Sequence, residues 1–522
     1  MFNRRLFIAG AAASGIAAPA IVRAQSVWRQ YPFSLGVASG DPSSDGFVIW
    51  TRLAPDPLAP DGGMSRAPMA VEWEVASDPG FMKDRIGGTV TAWPELGHSV
   101  HVEVAGLLPD RPYFYRFRAG GERSLRGRAR TLPALGSAAD RLRFGVCGCQ
   151  HYEQGYFGAY RHLAAEDLAF VYHYGDFIYE YSIDYEYRGD LPIRLPRQSG
   201  IRGLMNVADF RYAYAQQLGD IDLQAARSRH VFLSSYDDHE IDNNWVGDVD
   251  NWWPWWNDPT EPTPTDVFRI RKQAALQVWY EHMPVRRALM PRGPQVTLNR
   301  ELRYGNLMSM QLLDTRQFRT DQPCEDNFKP ASCPGVADPK AEVLGRAQEA
   351  WLARNLAAGG TVWNTLAQQV TMMALDRRRR PEEPEKLLNI DSWAGYEMPR
   401  QRMLSRLANT KNAIVLTGDE HQNFCGDLVH RDRIVGAEFV ATSISSGGTG
   451  SDQRPGTDQW MKFNPELKFV NDQRGYLVCE ASKDAWQTHY MVVDQVDTPA
   501  NKLARRMTAV VARDEAGVKL SA

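Results

Sequence analysis

Residues 170–181, FVYHYGDFIYEY, form the stretch that decides the fold. An apolar run ends at Gly175, Asp176 follows directly, and Tyr179 lies three residues further on. A short apolar run that stops at a glycine is typical of a buried strand followed by a turn. The stretch therefore predicts a strand whose carboxyl end presents a carboxylate and a phenol.

On both sides of this stretch, similar apolar segments alternate with helical ones. The predicted strands include RLRFGV, LAFVYHY, HVFLSS, LMSMQLL and NAIVLT, and the predicted helices include GAYRHLAAED, RIRKQAALQVWYEHMP and GRAQEAWLARNLA. Regular alternation of strands and helices indicates a layered α/β domain. We predict that this domain spans residues 141–522.

The region before it has a different pattern. Residues 30–133 contain short runs of alternating apolar and polar residues, such as AVEWEVASD and RPYFYRFRAG, separated by turn signals such as DPSSDG. This pattern predicts a small antiparallel β-sandwich domain. TLPALGSAAD, at residues 131–140, is the predicted linker.

The first 24 residues carry the features of a twin-arginine export signal. Arg4 and Arg5 precede a short alanine-rich apolar stretch, which ends at Ala24 in an A-x-A-like context. An uncleaved anchor helix is the alternative, but the apolar stretch is short for a membrane span. We therefore expect the export machinery as a partner, a periplasmic or extracellular location, and no stable membrane insertion after processing.

Composition narrows the remaining classes of function. The chain has 522 residues, 43% of them hydrophobic, and a net charge of −3. These values predict a folded protein of two domains and give no basis for a specific nucleic-acid partner. Cys324 and Cys333 flank a polar loop and could form a local disulfide, whereas Cys425 and Cys479 have the pattern of core residues.

Four of the predicted strands end in residues that can bind metals. These ends are GVCGCQ, GDFIY, SSYDDHEIDNN and LTGDEHQNF. In open α/β sheets, sites form outside the carboxyl ends of the strands, where the loops converge. We therefore expect these four segments to lie together.

The residue types indicate two different metals. Cys149 offers a thiolate, Tyr179 a phenolate and His421 an imidazole, a set that with Asp176 suits ferric iron. The second oxygen of Asp176 would add to an oxygen-rich neighbouring site that favours calcium or magnesium. Its other candidate ligands are Asp419 and one aspartate of the DDHE segment, Asp237 or Asp238.

Each residue also has an ordinary structural explanation. Asp176 could cap a helix, Tyr179 could pack in an aromatic wall, Cys149 could be a buried thiol, and DDHE could be a solvated charge cluster. The ordered set, each member after a strand, favours a two-metal hydrolytic site.

Five of these segments resemble successive motifs of the PhoD-type alkaline phosphatases, and GVASGDP near residue 36 resembles the start of that family's N-terminal domain. The motifs are CGCQHYEQGYFGAY, HYGDFIYEY, YDDHEIDNN, LLDTRQFR and LTGDEHQNF. The resemblance implies a calcineurin-like metallophosphoesterase core, a layered β-sandwich flanked by helices, behind a small fibronectin-like β-sandwich. It also implies an iron–calcium centre and a secreted location.

Residue by residue, the resemblance makes four residues iron ligands: Cys149, Asp176, Tyr179 and His421, with Asp176 bridging to calcium. Asp419 and an aspartate of DDHE resemble calcium ligands. The register of the wider superfamily's GNHE motif selects Asp238 over Asp237, and the adjacent carboxylates leave both open.

Two positions depart from the family pattern. Cys147 adds a thiol that we expect on the same strand face as Cys149, and Tyr236 stands where the family often has tryptophan. The Cys-Gln pair favours Cys149 as the ligand.

The expected reaction is attack of a metal-bound hydroxide on phosphorus. His239 would contact a phosphate oxygen or protonate the leaving group, or it would only orient Asp238. Arg316 would hold a phosphate oxygen, or it would form a structural ion pair with Asp314. Asn364 is a weaker candidate for the metal shell.

The sequence thus predicts an exported alkaline phosphatase that acts on small phosphate esters. The alternative on the same centre is a phosphodiesterase or phospholipase D-like hydrolase. The Trp-rich segment 243–266 is predicted to be a surface loop that could lean over the site and control the pocket width that decides between the two. A rival of another class is a non-catalytic surface binding protein, in which the metals are structural. It predicts that Asp176→Asn leaves the function intact. An oxidoreductase is disfavoured, because no G-x-G-x-x-G run follows the first α/β strand.

Overall fold

The fold is described from a computed structural model, which covers residues 27–183, 195–250, 263–378 and 380–521. The predicted export signal, residues 1–24, lies outside the described residues, as does the central part of the Trp-rich segment, residues 251–262. Trp245, at the start of that segment, is buried beside Tyr236 and Phe268, so the surface-loop prediction is wrong for this residue.

Strands are numbered along the chain, and the first eight precede residue 131. They are β1 (Val37–Gly40), β2 (Phe47–Arg52), β3 (Met69–Ala76), β4 (Ile86–Ala92), β5 (Ser99–Val104), β6 (Pro112–Ala119), β7 (Glu122–Arg123) and β8 (Gly127–Arg130). β6 alternates buried and partly exposed side chains, as a strand with one partly solvated face must. β3, β4, β6, β7 and β8 form one antiparallel sheet.

The largest sheet has ten strands and runs across the predicted domain boundary. Its further members are β9 (Arg141–Cys147), β10 (Val171–His173), β11 (Val231–Ser234), β21 (Gly475–Ser482), β22 (Ala485–Val493), β23 (Leu503–Ala512) and β24 (Lys519–Ser521). The order is β24-β23-β22-β21-β9-β10-β11-β1-β2-β5. β9, β10, β11 and β1 are mutually parallel, so their carboxyl ends meet at one edge. The domain boundaries themselves stay a prediction.

The second sheet of the core has seven strands. They are β12 (Arg300–Tyr304), β13 (Met308–Leu312), β15 (Trp363–Ala367), β17 (Ala413–Thr417), β18 (Asn423–His430), β19 (Arg433–Val440) and β20 (Leu467–Asn471), in the order β12-β13-β15-β17-β19-β18-β20. β14 (Phe328–Pro330) pairs with β16 (Leu387–Asn389) beside it. The expected disulfide between Cys324 and Cys333 closes the loop around β14.

Helices cover the outer faces of the two large sheets. The described α-helices are α1 (Gly158–Ala165), α2 (Val207–Leu218), α3 (Ile221–Arg229), α4 (Thr265–His282), α5 (Gly345–Ala358), α6 (Glu397–Leu407) and α7 (Thr457–Phe463), with 3₁₀ turns at Pro94–Leu96, Arg287–Leu289 and Trp393–Gly395. Side-chain caps start α2 and α3, where Asn206 and Asp220 accept hydrogen bonds from the first turn.

Three apolar clusters define the layers. The central cluster joins β9 and β10 to β13 and β17 across the space between the sheets, through residues such as Phe144, Phe170, Met310 and Ile414. The other two lie between a sheet and its helices. The predicted layered α/β fold is therefore confirmed, with helices on both sides of two facing sheets. No described helix has the length and apolarity that a bilayer crossing requires.

Candidate metal centre

The predicted ligands all lie at the carboxyl ends of parallel strands. Cys149 follows β9, Asp176 follows β10, the DDHE segment follows β11, and Asp419 and His421 follow β17. Because β9, β10 and β11 are neighbours and β17 faces them from the second sheet, the loops converge. The convergence expected from the strand ends is present in the structure.

Four of these residues have a left-handed backbone. The φ angles are +51° at Cys149, +54° at Asp176, +67° at Asp419 and +53° at His421. This conformation is unfavourable for residues other than glycine, and such strain collects at functional sites. Here it turns each side chain off its strand and into the space between the loops.

The left-handed backbone at Cys149 separates its side chain from that of the neighbouring Cys147. The Cys147 Sγ lies 4.0 Å from the Tyr160 hydroxyl, under the helices, whereas the Cys149 Sγ lies 3.2 Å from the Asp176 Oδ2. Cys147 is the last residue of β9, so the alternation of a strand no longer applies two residues later. The expectation that both thiols share a face was wrong.

Cys149, Asp176, Tyr179 and His421 form a compact donor group. The Tyr179 hydroxyl lies 3.0 Å from the Asp176 Oδ2 and 3.1 Å from the His421 Nε2. Ligand atoms bound to one ion at about 2.0–2.3 Å are themselves about 3 Å apart. The spacing therefore fits a single ion at the centre of the group.

The protonation of this group also favours a cation. Burial, followed by the charge of Asp176, raises the pKa of Cys149 and of Tyr179 well above their ordinary values. Burial, followed by the charge of Asp238, also raises the pKa of Asp176 well above its ordinary value. A thiolate, a phenolate and a carboxylate are stable together here only if a positive charge lies among them.

A second group contains Asp237, Asp238 and Asp419, whose carboxylate oxygens lie within 4.8 Å of one another. Burial and then the charge of Asp237 raise the pKa of Asp419 well above its ordinary value. In the aspartates of the two groups, three buried oxygens have no hydrogen-bond partner among the described residues, namely Asp176 Oδ1, Asp237 Oδ2 and Asp238 Oδ1. Unpartnered buried carboxylate oxygens are costly, and a hard cation would satisfy them.

The two aspartates of the DDHE segment differ in their contacts. Asp237 Oδ1 accepts a 2.6 Å hydrogen bond from the Arg316 Nε. Asp238 Oδ2 accepts a bond from the backbone of Asn244, and its other oxygen faces the site. Asp238 belongs to both acidic groups that could hold an ion, one with Asp176 and His239 and one with Asp237 and Asp419. The segment is buried, so its interpretation as a solvated charge cluster was wrong.

Arg316 is fully buried and held by carboxylates. Besides Asp237, its guanidinium binds both oxygens of Asp391, at 2.9 and 2.7 Å. Asp314, the ion-pair partner considered from the sequence, instead accepts bonds from the Arg316 backbone N–H and from the Tyr236 hydroxyl. Within the described part of the chain, the Arg316 Nη2 has no hydrogen-bond partner; it lies 3.6 Å from Asp238 and 3.9 Å from Asp419.

His239 faces the metal groups and is held from behind by Glu180. Its Nδ1 lies 2.8 Å from the Glu180 Oε2, and its ring centroid is 4.2 Å from that of Tyr179. Burial alone would lower the pKa of His239, but the charges of Glu180 and Asp238 raise it well above its ordinary value. The imidazole can therefore carry a proton next to the site.

Sequence reasoning missed several residues around this site. Glu180 is one, and Ser446 is another, since its hydroxyl lies 2.7 Å from the Tyr179 oxygen. Glu240, Asp391 and Arg474 also contact residues of the site. Conversely, Asn364 is not brought to the site: it lies in the first half of β15 and donates to the carbonyl of Lys411.

Glycines allow the strand ends to approach so closely. A Cβ at Gly148 or Gly418 would lie 2.4 or 2.2 Å from the ring of Tyr174, whose hydroxyl donates to the carbonyl of Thr442. The ring therefore packs directly against the start of the Cys149 loop and of the Asp419 loop. Only a glycine, which has no Cβ, allows this packing at positions 148 and 418.

Comparisons with known proteins agree with this geometry. The model of the "PhoD-like phosphatase" family matches residues 144–490, and that of its N-terminal domain matches residues 17–133. Alkaline phosphatase D of Bacillus subtilis (strain 168) is 40% identical over 536 residues, which cover 99% of this chain and 89% of the relative. A solved structure of PhoD has a TM-score of 0.88 at 39% identity, covering 95% of this chain and 93% of the other.

A more distant match concerns the fold alone. Purple acid phosphatase from yellow lupin (Lupinus luteus) seeds has a TM-score of 0.55 at 12% identity, covering 94% of this chain and 75% of the other. The fold is thus that of the metallophosphoesterase-like phosphatases. Within this class, the chain belongs to the PhoD-like phosphatase family. It is a phosphatase homologous to alkaline phosphatase D, which confirms the resemblance drawn from the motifs.

Proposed function

We propose that this phosphatase is an exported enzyme that acts on small phosphate esters with ferric iron and calcium side by side. Cys149, Asp176, Tyr179 and His421 would hold the iron. Asp238 and Asp419, with Asp237 as the alternative to Asp238, would hold calcium together with the second oxygen of Asp176. The features that support export are Arg4 and Arg5 and the short apolar stretch after them.

The observation that carries this proposal is the position of the Asp176 carboxylate. Its Oδ2 contacts the Cys149 sulfur and the Tyr179 oxygen, while its Oδ1 is buried and has no hydrogen-bond partner in the residues that the structure describes. Asp176 also belongs to a second group with Asp238 and His239. One carboxylate therefore belongs both to the group that contains Cys149 and His421 and to the group that contains Asp238.

The donor types support iron in the first group and calcium in the second. A thiolate and a phenolate are strong donors that suit a highly charged transition metal. Carboxylates alone favour a hard cation such as calcium. When bound, two such cations neutralise the charge of the ester and lower the pKa of an attacking water.

The residues of the chain supply the remaining parts of the reaction. His239 holds a proton at the edge of the site, where a leaving alkoxide would need it, and Glu180 fixes the ring. Arg316 is bound by Asp237 and Asp391, and its Nη2 lies 3.6 and 3.9 Å from the two candidate calcium ligands Asp238 and Asp419. Its charge would balance the surplus of carboxylates there and, through Nη2, could reach a phosphate oxygen.

The test is the metal content and colour of the protein, purified from the exported fraction without chelators. We expect iron and calcium by elemental analysis and a visible phenolate-to-iron band that is lost in Tyr179→Phe. The matched control is Tyr172→Phe, a buried tyrosine of β10 whose hydroxyl donates to the carbonyl of Gln368. A colourless protein with only zinc or manganese would contradict the ligand scheme.

A further inference from the structure

Glu240 ends the DDHE segment, and its side chain reaches the loop that follows the neighbouring strand. Its Oε2 accepts hydrogen bonds from the backbone N–H of Asp176 at 3.0 Å and of Asp237 at 2.8 Å. Its Oε1 accepts one from Phe177 at 2.6 Å. A single carboxylate thus binds the backbone of both loops at the residues that carry the proposed ligands.

The two loops are in direct contact at this point. Gly175 has a φ of +143°, and a Cβ there would lie 2.3 Å from the backbone nitrogen of Asp237. Glu240 is fully buried in this contact. The distance between the Asp176 carboxylate and the carboxylates of DDHE therefore depends on a contact that Glu240 holds in place.

We propose that Glu240 is a positioning residue that fixes the separation of the two ligand loops and thereby sets the affinity for calcium. This inference rests on the proposed function, in which calcium is bound between Asp176 on one loop and Asp238 on the other. Iron depends less on Glu240, because none of its four proposed ligands, Asp176 included, belongs to the DDHE segment, whereas calcium takes ligands from both loops.

The experiment measures calcium binding by Glu240→Gln. Glutamine keeps the shape of the side chain but replaces one accepting oxygen with an NH₂ group, which cannot accept from a backbone N–H. In iron-loaded protein stripped of calcium with EGTA, we expect calorimetry to show a calcium affinity about 10- to 100-fold weaker than in the wild type. The iron content and the visible band should remain those of the wild type.

Glu438→Gln is the matched control. Glu438 is equally buried and accepts from the backbone N–H of Met372 and Met373, both at 2.7 Å, but it joins other loops. We expect its calcium affinity to stay within about twofold of the wild type, because the backbone N–H groups that Glu438 accepts from are those of Met372 and Met373, outside the two loops that Glu240 joins. Unchanged calcium affinity in Glu240→Gln, or an equal loss in both variants, would overturn the inference.

Two further measurements keep the outcome decisive. If Glu240→Gln does not fold, residue-resolved amide exchange of the calcium-free wild type decides: slow exchange at Asp176, Phe177 and Asp237 supports the inference, and fast exchange overturns it. Wild-type protein that binds no calcium would instead contradict the proposed function. Tight binding by the wild type with equal binding by Glu240→Gln would contradict the role of Glu240 alone.

Discussion

The Glu180 carboxylate lies 2.8 Å from the Nδ1 of His239 and also accepts a 2.8 Å bond from the backbone N–H of Asn243. Both side chains are buried, and the second bond fixes the carboxylate relative to the loop that carries His239. The pair therefore fixes the imidazole orientation and favours its protonated form, with the Nε2 directed away from Glu180.

Glu180→Gln tests whether His239 donates a proton to the leaving group. We expect kcat to fall about 100-fold for an alkyl phosphate, whose leaving group needs a proton, and by less than tenfold for 4-nitrophenyl phosphate, whose leaving group does not. The measurement compares the two substrates in both proteins. An equal loss for the two substrates would show that the pair only organises the loop.

The separation of the two thiols predicts opposite results for their serine variants. Cys149→Ser removes the thiolate that we propose as an iron ligand, so iron content and visible absorbance should fall by about tenfold or more. Cys147→Ser should keep both and lose only stability, by about 1–3 kcal/mol, because a hydroxyl replaces a buried apolar thiol. Metal analysis and urea unfolding of the two variants check this, and iron loss in Cys147→Ser would contradict it.

The different partners of Asp237 and Asp238 predict which of the two binds calcium. Asp238→Asn should weaken calcium binding more than Asp237→Asn, because Asp238 presents an oxygen to both acidic groups. Asp237→Asn should cost more in stability, about 3 kcal/mol, since it removes a buried charge partner of Arg316. Calcium titration should show the larger loss in Asp238→Asn, and urea unfolding should show the larger loss in Asp237→Asn. The reverse order of calcium affinities would assign the ligand to Asp237.

The convergence of the candidate ligands could be predicted because the signal is local. Each ligand follows an apolar run, and parallel strands that are neighbours must present their carboxyl ends together. Gly175 before Asp176 and Gly418 before Asp419 marked the turns. The residue types then limited which metals could bind. The strand ends alone were enough to place five candidate ligands in one region: Cys149, Asp176, Tyr179, Asp419 and His421.

The supporting residues could not be found in the same way. Glu180 lies within the stretch 170–181 but four residues after Asp176, and Ser446 lies in a loop without a distinctive pattern. The roles of both come from contacts between positions far apart in sequence. The partners of Arg316 were also missed, because Asp391 is 75 positions away in the chain. The cysteine error had a different cause: strand alternation was extended two residues past the end of β9, where the backbone is left-handed.

The parallel pairing of β1 with β11 has a consequence for the folding of the whole chain. β1 covers the edge of the strand that carries the DDHE segment, and β2 and β5 extend the sheet further. A truncated protein that begins at β9 would expose that edge to pairing with other chains and would aggregate. The region before residue 131 is thus an integral part of the catalytic sheet, and the two regions should melt in a single cooperative transition.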